Sequence, residues 1–223
     1  DFANVGAGVY PVPDDRDPDG LAGLIDKTRR FIADVPEVER RRREGAHQEV
    51  NTPDHETLPR YYRQNFHFQT DGWLSNDSAK LYDTQVEVLF TGSAAAMRRQ
   101  ALVPMAEVLR RHDQRTIAYA DLATGTGALL TDVARAFPRL KINAVDLSES
   151  YLAFARARVP GLRPINAPAE RLPFADRSLD LITSVYLFHE LPPKIRRAVA
   201  TEIARVLKPG GTFILVDSLQ TGD

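Results

Sequence analysis

The sequence predicts an α/β protein: a doubly wound, mostly parallel sheet in its second half, behind an N-terminal helical segment. From residue 116 onward, short β-branched runs alternate with stretches of helical periodicity. That is the pattern of parallel strands joined by crossover helices and covered on both faces. A glycine-bearing turn, Asp121-Leu-Ala-Thr-Gly125-Thr-Gly127, stands where the first such run gives way to the first such helix. In the first ~115 residues the apolar positions recur mainly at helical spacing.

The elements follow in order. Pro11, Pro13 and Pro18 among Asp and Gly make residues 1–19 an irregular arm. Gly20 to Val35 reads as a helix, with Leu21, Leu24, Ile25, Thr28, Phe31 and Ile32 on one face. The charged run Glu37 to Glu44 reads as a solvated helix face or tether. A nucleic-acid patch at Arg40–Arg43 is diluted by Glu37, Glu39, Glu44 and Glu49. Residues 57–75 are rich in aromatics. Helices over 76–91 and 93–112 follow, with Asn76 and Ser93 as caps. Met97, Ala101, Met105 and Leu109 form a stripe on the second, which Pro104 should kink or split. Strands are expected at 116–121, 140–145, 162–166, 179–185 and 211–217. Helices are expected at 127–137, 148–158 and about 194–207. The division is therefore 1–112, an arm with a helical lid, and 113–223, the sheet-bearing core.

Composition limits the function classes. The 223 residues are 43% hydrophobic and 26% charged, as in ordinary globular proteins. No run approaches the ~18–20 apolar residues of a membrane span, and a cytoplasmic protein is expected. The 29 basic residues stand against 30 acidic ones, a net charge of -1. Domains built for phosphate backbones carry a basic excess, so nucleic acid is not the expected partner. Only five basic residues are Lys, which reads as GC-rich coding bias, not a binding surface. With no Cys, disulfides, zinc-thiolate sites and a cysteine nucleophile are excluded. No His, Asp and Glu group has metal-ligand spacing, and His47 and His55 read as surface residues. The chain opens on Asp1, not Met, as a trimmed piece would.

The turn at 121–127 carries the strongest chemical signal. Its glycines allow positive φ and a close ligand, and the helix N-terminus behind it offers unpaired N–H groups. Asp146 ends the next strand, 19 residues after Gly127. An acidic residue there can accept both ribose hydroxyls; the competing reading is a helix cap. A dinucleotide site would want a third glycine near position 130, where this chain has Leu130. That leaves a nucleoside ligand without a pyrophosphate.

Four blocks in register now carry a resemblance: Asp121–Gly127, Val145-Asp146-Leu-Ser148, Ala169–Asp180 and Leu207-Lys-Pro-Gly-Gly211. The chain resembles class I S-adenosylmethionine-dependent methyltransferases, nearest the ubiquinone/menaquinone C-methyltransferase branch, with a Rossmann-like core. The resemblance implies that Asp121 and the backbone of Ala123, Thr124, Gly125 and Gly127 hold the methionine end of the cofactor. It gives the ribose to Asp146 and the adenine face to Leu147. Ala169 and Glu170 lie along the adenine edge, and Ser184 and Val185 face the sulfonium. Tyr82 reaches the cofactor carboxylate, as a lid tyrosine does in similar enzymes. Pro209-Gly210-Gly211 is a structural turn into the fifth strand.

This chain also departs from the family pattern. Ala123 stands where glycine is frequent, from which tighter packing is expected. Pro168 replaces an adenine-contacting Asp, a role passing to Asn166 or the Ala169 N–H. The family fold adds two further strands after the fifth, so a shortened chain or an edge covered by a partner is expected.

Methyl transfer requires alignment, and a base only where the acceptor must lose a proton. His189, after the fourth strand, is the candidate base, its ordinary pKa lying near neutrality. Glu190 either orients His189 or caps the helix that follows, the cap being favoured. Tyr62, His67, Trp73, Tyr82 and Phe90 of the lid, with Tyr186, are candidate walls of a hydrophobic acceptor pocket. The expected activity is methyl transfer to carbon or oxygen of a small aromatic or lipophilic molecule, leaving S-adenosylhomocysteine, in a possible homodimer. A non-methylating reaction such as cyclisation, and a non-catalytic partner subunit, are the alternatives.

Overall fold

The structure is a computed structural model that describes residues 1–15, 20–44, 58–59, 61–63 and 76–218. In chain order its elements are α1 (Phe2–Gly6), α2 (Gly20–Glu44), α3 (Asn76–Leu89), α4 (Ala94–Arg98), α5 (Leu102–Leu109), β1 (Tyr119–Leu122) and α6 (Ala128–Ala136). They continue with β2 (Ile142–Asp146), α7 (Glu149–Arg158), β3 (Arg163–Asn166), β4 (Leu179–Val185), α8 (Pro193–Val206) and β5 (Leu207–Val216). Two compact units result: Asp1–Asp14 with Ser93–Asp223, and Asp15–Gly92.

The larger unit is built on five strands in the order β3-β2-β1-β4-β5, every pairing parallel. Tyr119 and Leu181 join a buried cluster with Leu102, Met105, Leu130, Val133, Ala155 and Ile214. Their neighbours Ala120, Leu122 and Ile182 are equally buried outside that cluster. Side chains alternate across a strand, so the sheet is covered on both faces.

Several expectations change here. The division falls at Gly92/Ser93, not at 112. Leu102, Met105, Ala106 and Leu109 bury the face of α5 in the sheet's own cluster, which binds 93–112 to the core. The first residues are not simply irregular: α1 forms, and Tyr10 is buried in the same cluster. The break expected at Pro104 comes earlier, as a 3-10 turn over Arg99–Ala101. Pro104 itself sits in the first turn of α5, where its missing N–H costs nothing. Ser93 takes the N-cap position of α4 without a capping bond; its hydroxyl donates to Met97 Sδ at 3.7 Å. Pro209-Gly210-Gly211 lies inside β5, where the pairing with β4 slips register.

Arg99 is buried as a cation, with Asp1 at 2.7 Å and Asp132 at 3.5 Å. Arg205 of α8 braces the loop between β3 and β4. It donates to Leu172 O, Phe174 O, Asp176 and Glu202 at 2.6–3.2 Å, and Glu202 accepts the Leu172 N–H at 2.7 Å.

In the second unit α2 and α3 pack on one another. Pro36 does not end α2, which runs on through the charged segment. There Arg40 lies 2.9 Å from Glu37 and 2.6 Å from Glu44, both half-exposed. That is a solvated helix face.

Candidate cofactor and acceptor site

The strand order fixes where a ligand belongs. The chain passes from β1 to β2 and β3 on one side, then returns to β4 on the other side of β1. The crevice at the carboxyl ends beside that reversal is the binding position of such sheets. Leu122 pairs with Val145 on β2 and with Ser184 on β4. Asp121, Asp146 and Ser184 therefore end three adjoining strands.

The turn after β1 is left-handed at Ala123 (φ 55°), Gly125 (φ 57°) and Gly127 (φ 77°). The two glycines do different work. A Cβ on Gly125 would meet nothing within 4 Å, so this backbone borders open space. A Cβ on Gly127 would lie 2.9 Å from the Ala155 Cβ, so Gly127 permits α6 to approach α7. Thr124 N–H donates to Val145 O at 3.1 Å and ties the turn to β2.

Two carboxyls are buried beneath this turn. Asp146 accepts the Gly125 N–H through Oδ2 and the Ser148 N–H through Oδ1, each at 2.8 Å. Burial raises its pKa against the pull of these backbone donors. Asp146 thus supports the chain into α7, while the N-cap itself is Ser148, which accepts the Tyr151 N–H at 3.2 Å. Asp121 accepts the Thr183 hydroxyl at 2.5 Å and the Thr124 hydroxyl at 3.0 Å. Burial pushes Asp121 up to about 7, the two hydroxyls opposing and the Asp146 charge adding. The Tyr119 hydroxyl lies 2.7 Å from Thr183 Oγ1 and completes a buried relay. The Ser184 hydroxyl, also buried, has no hydrogen-bond partner.

Beyond β4, Tyr186 is left-handed at φ 59°. Phe188–Glu190 forms a 3-10 turn. His189 Nδ1 lies 2.7 Å from Asp217 Oδ1 and Nε2 lies 3.1 Å from Glu190 Oε1. Burial would lower its pKa, but the bonds to Asp217 and Glu190 outweigh burial and raise it to about 9. This bracket of two carboxylates favours the imidazolium form of His189. The cap reading of Glu190 is corrected: the N-cap of α8 is Pro192, with no side-chain bond, and Glu190 faces His189. Asp217 went unnoticed in the sequence; its signal was an acidic residue directly after the last core strand.

The remaining site residues divide. Leu147, Ala169 and Glu170 are half-buried in the loops after β2 and β3. Asn166 donates its amide to Leu147 O at 2.8 Å and Asp146 O at 3.2 Å, so it serves the β2 end directly. Tyr62 and Tyr82 belong to the second unit, both half-buried. His67 and Trp73 lie outside the described residues.

Residues 120–211 match the model of a methyltransferase domain. Over that stretch the chain resembles a methyltransferase domain. Demethylmenaquinone methyltransferase of Thermotoga maritima is 33% identical over 63% of this chain and 58% of its own length. Malonyl-[acyl-carrier protein] O-methyltransferase of Methylococcus capsulatus is 34% identical over 52% and 43%. The chain spans about half the length of the curated relatives it matches. Among solved structures, S-adenosylmethionine-bound CalS10, an amino pentose methyltransferase from Micromonospora echinaspora, shares the fold. Its TM-score is 0.50 at 24% identity, covering 61% of this chain and 57% of that one.

The core fits S-adenosylmethionine on its own geometry. Two buried carboxyls, Asp121 and Asp146, lie at the switch point beside a glycine facing open space. That donor set suits a ligand with an ammonium group, ribose hydroxyls and no phosphate. Among the described residues no helix is long and apolar enough to cross a membrane.

Proposed function

We propose that this chain transfers a methyl group from S-adenosylmethionine to carbon or oxygen of a small aromatic or lipophilic acceptor. One observation carries the reading: at the switch point, Asp121 and Asp146 are buried at adjoining strand ends beside the open face of Gly125. Bound there, the cofactor supplies an activated methyl on a sulfonium. The chain's own residues bind and align.

In this reading Asp121 meets the ammonium end, beside the backbone of Ala123, Thr124 and Gly125. Asp146 accepts from the ribose, Leu147 packs on the adenine face, and Ala169 and Glu170 border the adenine edge. Ser184 lies toward the sulfonium and Tyr186 toward the acceptor. Holding the two reactants in line lowers a barrier of this kind by about 7–11 kcal/mol. Carbon and oxygen acceptors are both supported, since similar proteins are named for a menaquinone precursor and for a malonyl carrier. A cytoplasmic location suits such acceptors.

Isothermal titration of the purified chain with S-adenosylmethionine tests the reading, beside Asp146→Ala. Micromolar binding that the variant loses supports it. A folded wild-type chain that binds nothing overturns it. Product analysis with phenolic and quinol acceptors then separates methylation from cyclisation.

A further inference from the structure

Asp217 follows the last residue of β5 and accepts three donors. These are the Phe188 N–H at 2.7 Å, the Ser218 N–H at 2.8 Å and His189 Nδ1 at 2.7 Å. With a side chain only 8% exposed, it fastens the segment after β4 to the end of β5. The other ring nitrogen of His189 faces Glu190. An imidazole between two carboxylates is satisfied only as a cation, because a neutral ring would turn a lone pair on one of them. The third neighbour is Tyr186, whose ring meets that of His189 edge-on, at 6.4 Å and 79°. The Tyr186 N–H donates to Val216 O at 2.9 Å. Tyr186 holds a left-handed backbone that a bulky residue adopts only where its surroundings impose it.

We propose that Asp217 is a positioning residue: acting through the His189 cation, it fixes Tyr186 at the carboxyl edge of β4, on the acceptor side of the methyl transfer. The assignment rests on the methyl-transfer reading for what Tyr186 faces. It gives His189 a role opposite to that of a base. A base works once its proton is gone, whereas this bracket fails when the proton leaves. Among the described residues, Asp217, Glu190 and the Tyr186 ring pack on His189, and one of the two carboxylates faces a lone pair once the ring is neutral.

Long-range proton–nitrogen NMR of the purified chain tests this, with the His189 signal assigned from His189→Gln. His189 should remain doubly protonated well above neutrality. In Asp217→Asn, which retains one acceptor oxygen for the Phe188 or the Ser218 N–H, its midpoint should fall by at least tenfold in proton affinity. The ring signals of Tyr186 should move in that variant and through the same titration. Should Asp217→Asn fail to fold, Glu190→Gln offers the same readout from the other side of the ring. A wild-type midpoint near that of free histidine overturns the inference, as does an unmoved Tyr186. Titration with S-adenosylmethionine keeps the two readings apart. Loss of binding with an intact His189 titration sinks methyl transfer, and normal binding with an ordinary His189 sinks only this role.

Discussion

Gly127 and Ala155 meet so closely that one added carbon would stand 2.9 Å from its neighbour. The contact sets how near α6 lies to α7, and so where the turn rests against β2. Gly127→Ala adds both a left-handed penalty and a clash, together about 3 kcal/mol. The expected fall in Tm is about 6–12 °C for a chain of this size. Adding Ala155→Gly should restore part of that loss, since the clash goes and the backbone strain stays. An unchanged Tm in Gly127→Ala would mean the helices are not so packed.

Ala123 holds φ 55°, a left-handed conformation that favours glycine. Its expected effect was tighter packing; the structure shows backbone strain instead. Left-handed alanine costs about 1–2 kcal/mol, and the freedom glycine adds to the unfolded chain takes back about 0.4–1 kcal/mol. Ala123→Gly should therefore raise stability by about 0.5 kcal/mol in urea unfolding. A fall would contradict the strain.

The Ser184 hydroxyl is buried without a partner. Its removal leaves the empty chain equally stable or slightly more so, as no bond is broken. If the cofactor satisfies it, Ser184→Ala weakens S-adenosylmethionine binding about tenfold, close to 1.4 kcal/mol. Equal affinity in calorimetry would remove Ser184 from the site.

Burial pushes Asp121 up to about 7 in the folded chain, from an ordinary carboxyl value of 3.8. Between those values the folded state holds the extra proton. The Asp121 contribution to stability thus falls as pH rises from about 4 to 7, then levels. Asp146, also raised, acts in the same direction. Melting curves without cofactor should lose Tm across this window, and Asp121→Asn should flatten the slope. An upward slope would contradict the burial.

Much of this was legible in the sequence, and for local reasons. The turn at 121–127 and the Asp146 spacing belong to one βαβ unit, so chain order already places them together. Leu179–Val185 was readable as a strand because Leu179, Leu181, Ile182 and Val185 fall within seven residues. Contacts made over long separations escaped. Nothing near Arg99 announces that Asp1 and Asp132 neutralise it. His189 carries no mark of Asp217, 28 positions on, whose carboxylate lies 2.7 Å from its Nδ1. Tyr10 looked like part of a proline-rich arm because its burial is decided by α5 and the sheet, not by its neighbours.

The loop from Leu172 to Ser178 has no ladder of its own. Its amides and carbonyls bond to Glu202, to Arg205 and to the last carbonyls of α8: Arg177 N–H donates to Arg205 O and Ser178 N–H to Val206 O. A segment held in this way cannot open before the helix that holds it. Loop and helix form one cooperative unit, sharing a single opening free energy. In hydrogen exchange, the amides of Leu172, Arg177 and Ser178 should keep time with the last turns of α8. A change deep in that helix would then loosen loop and helix together.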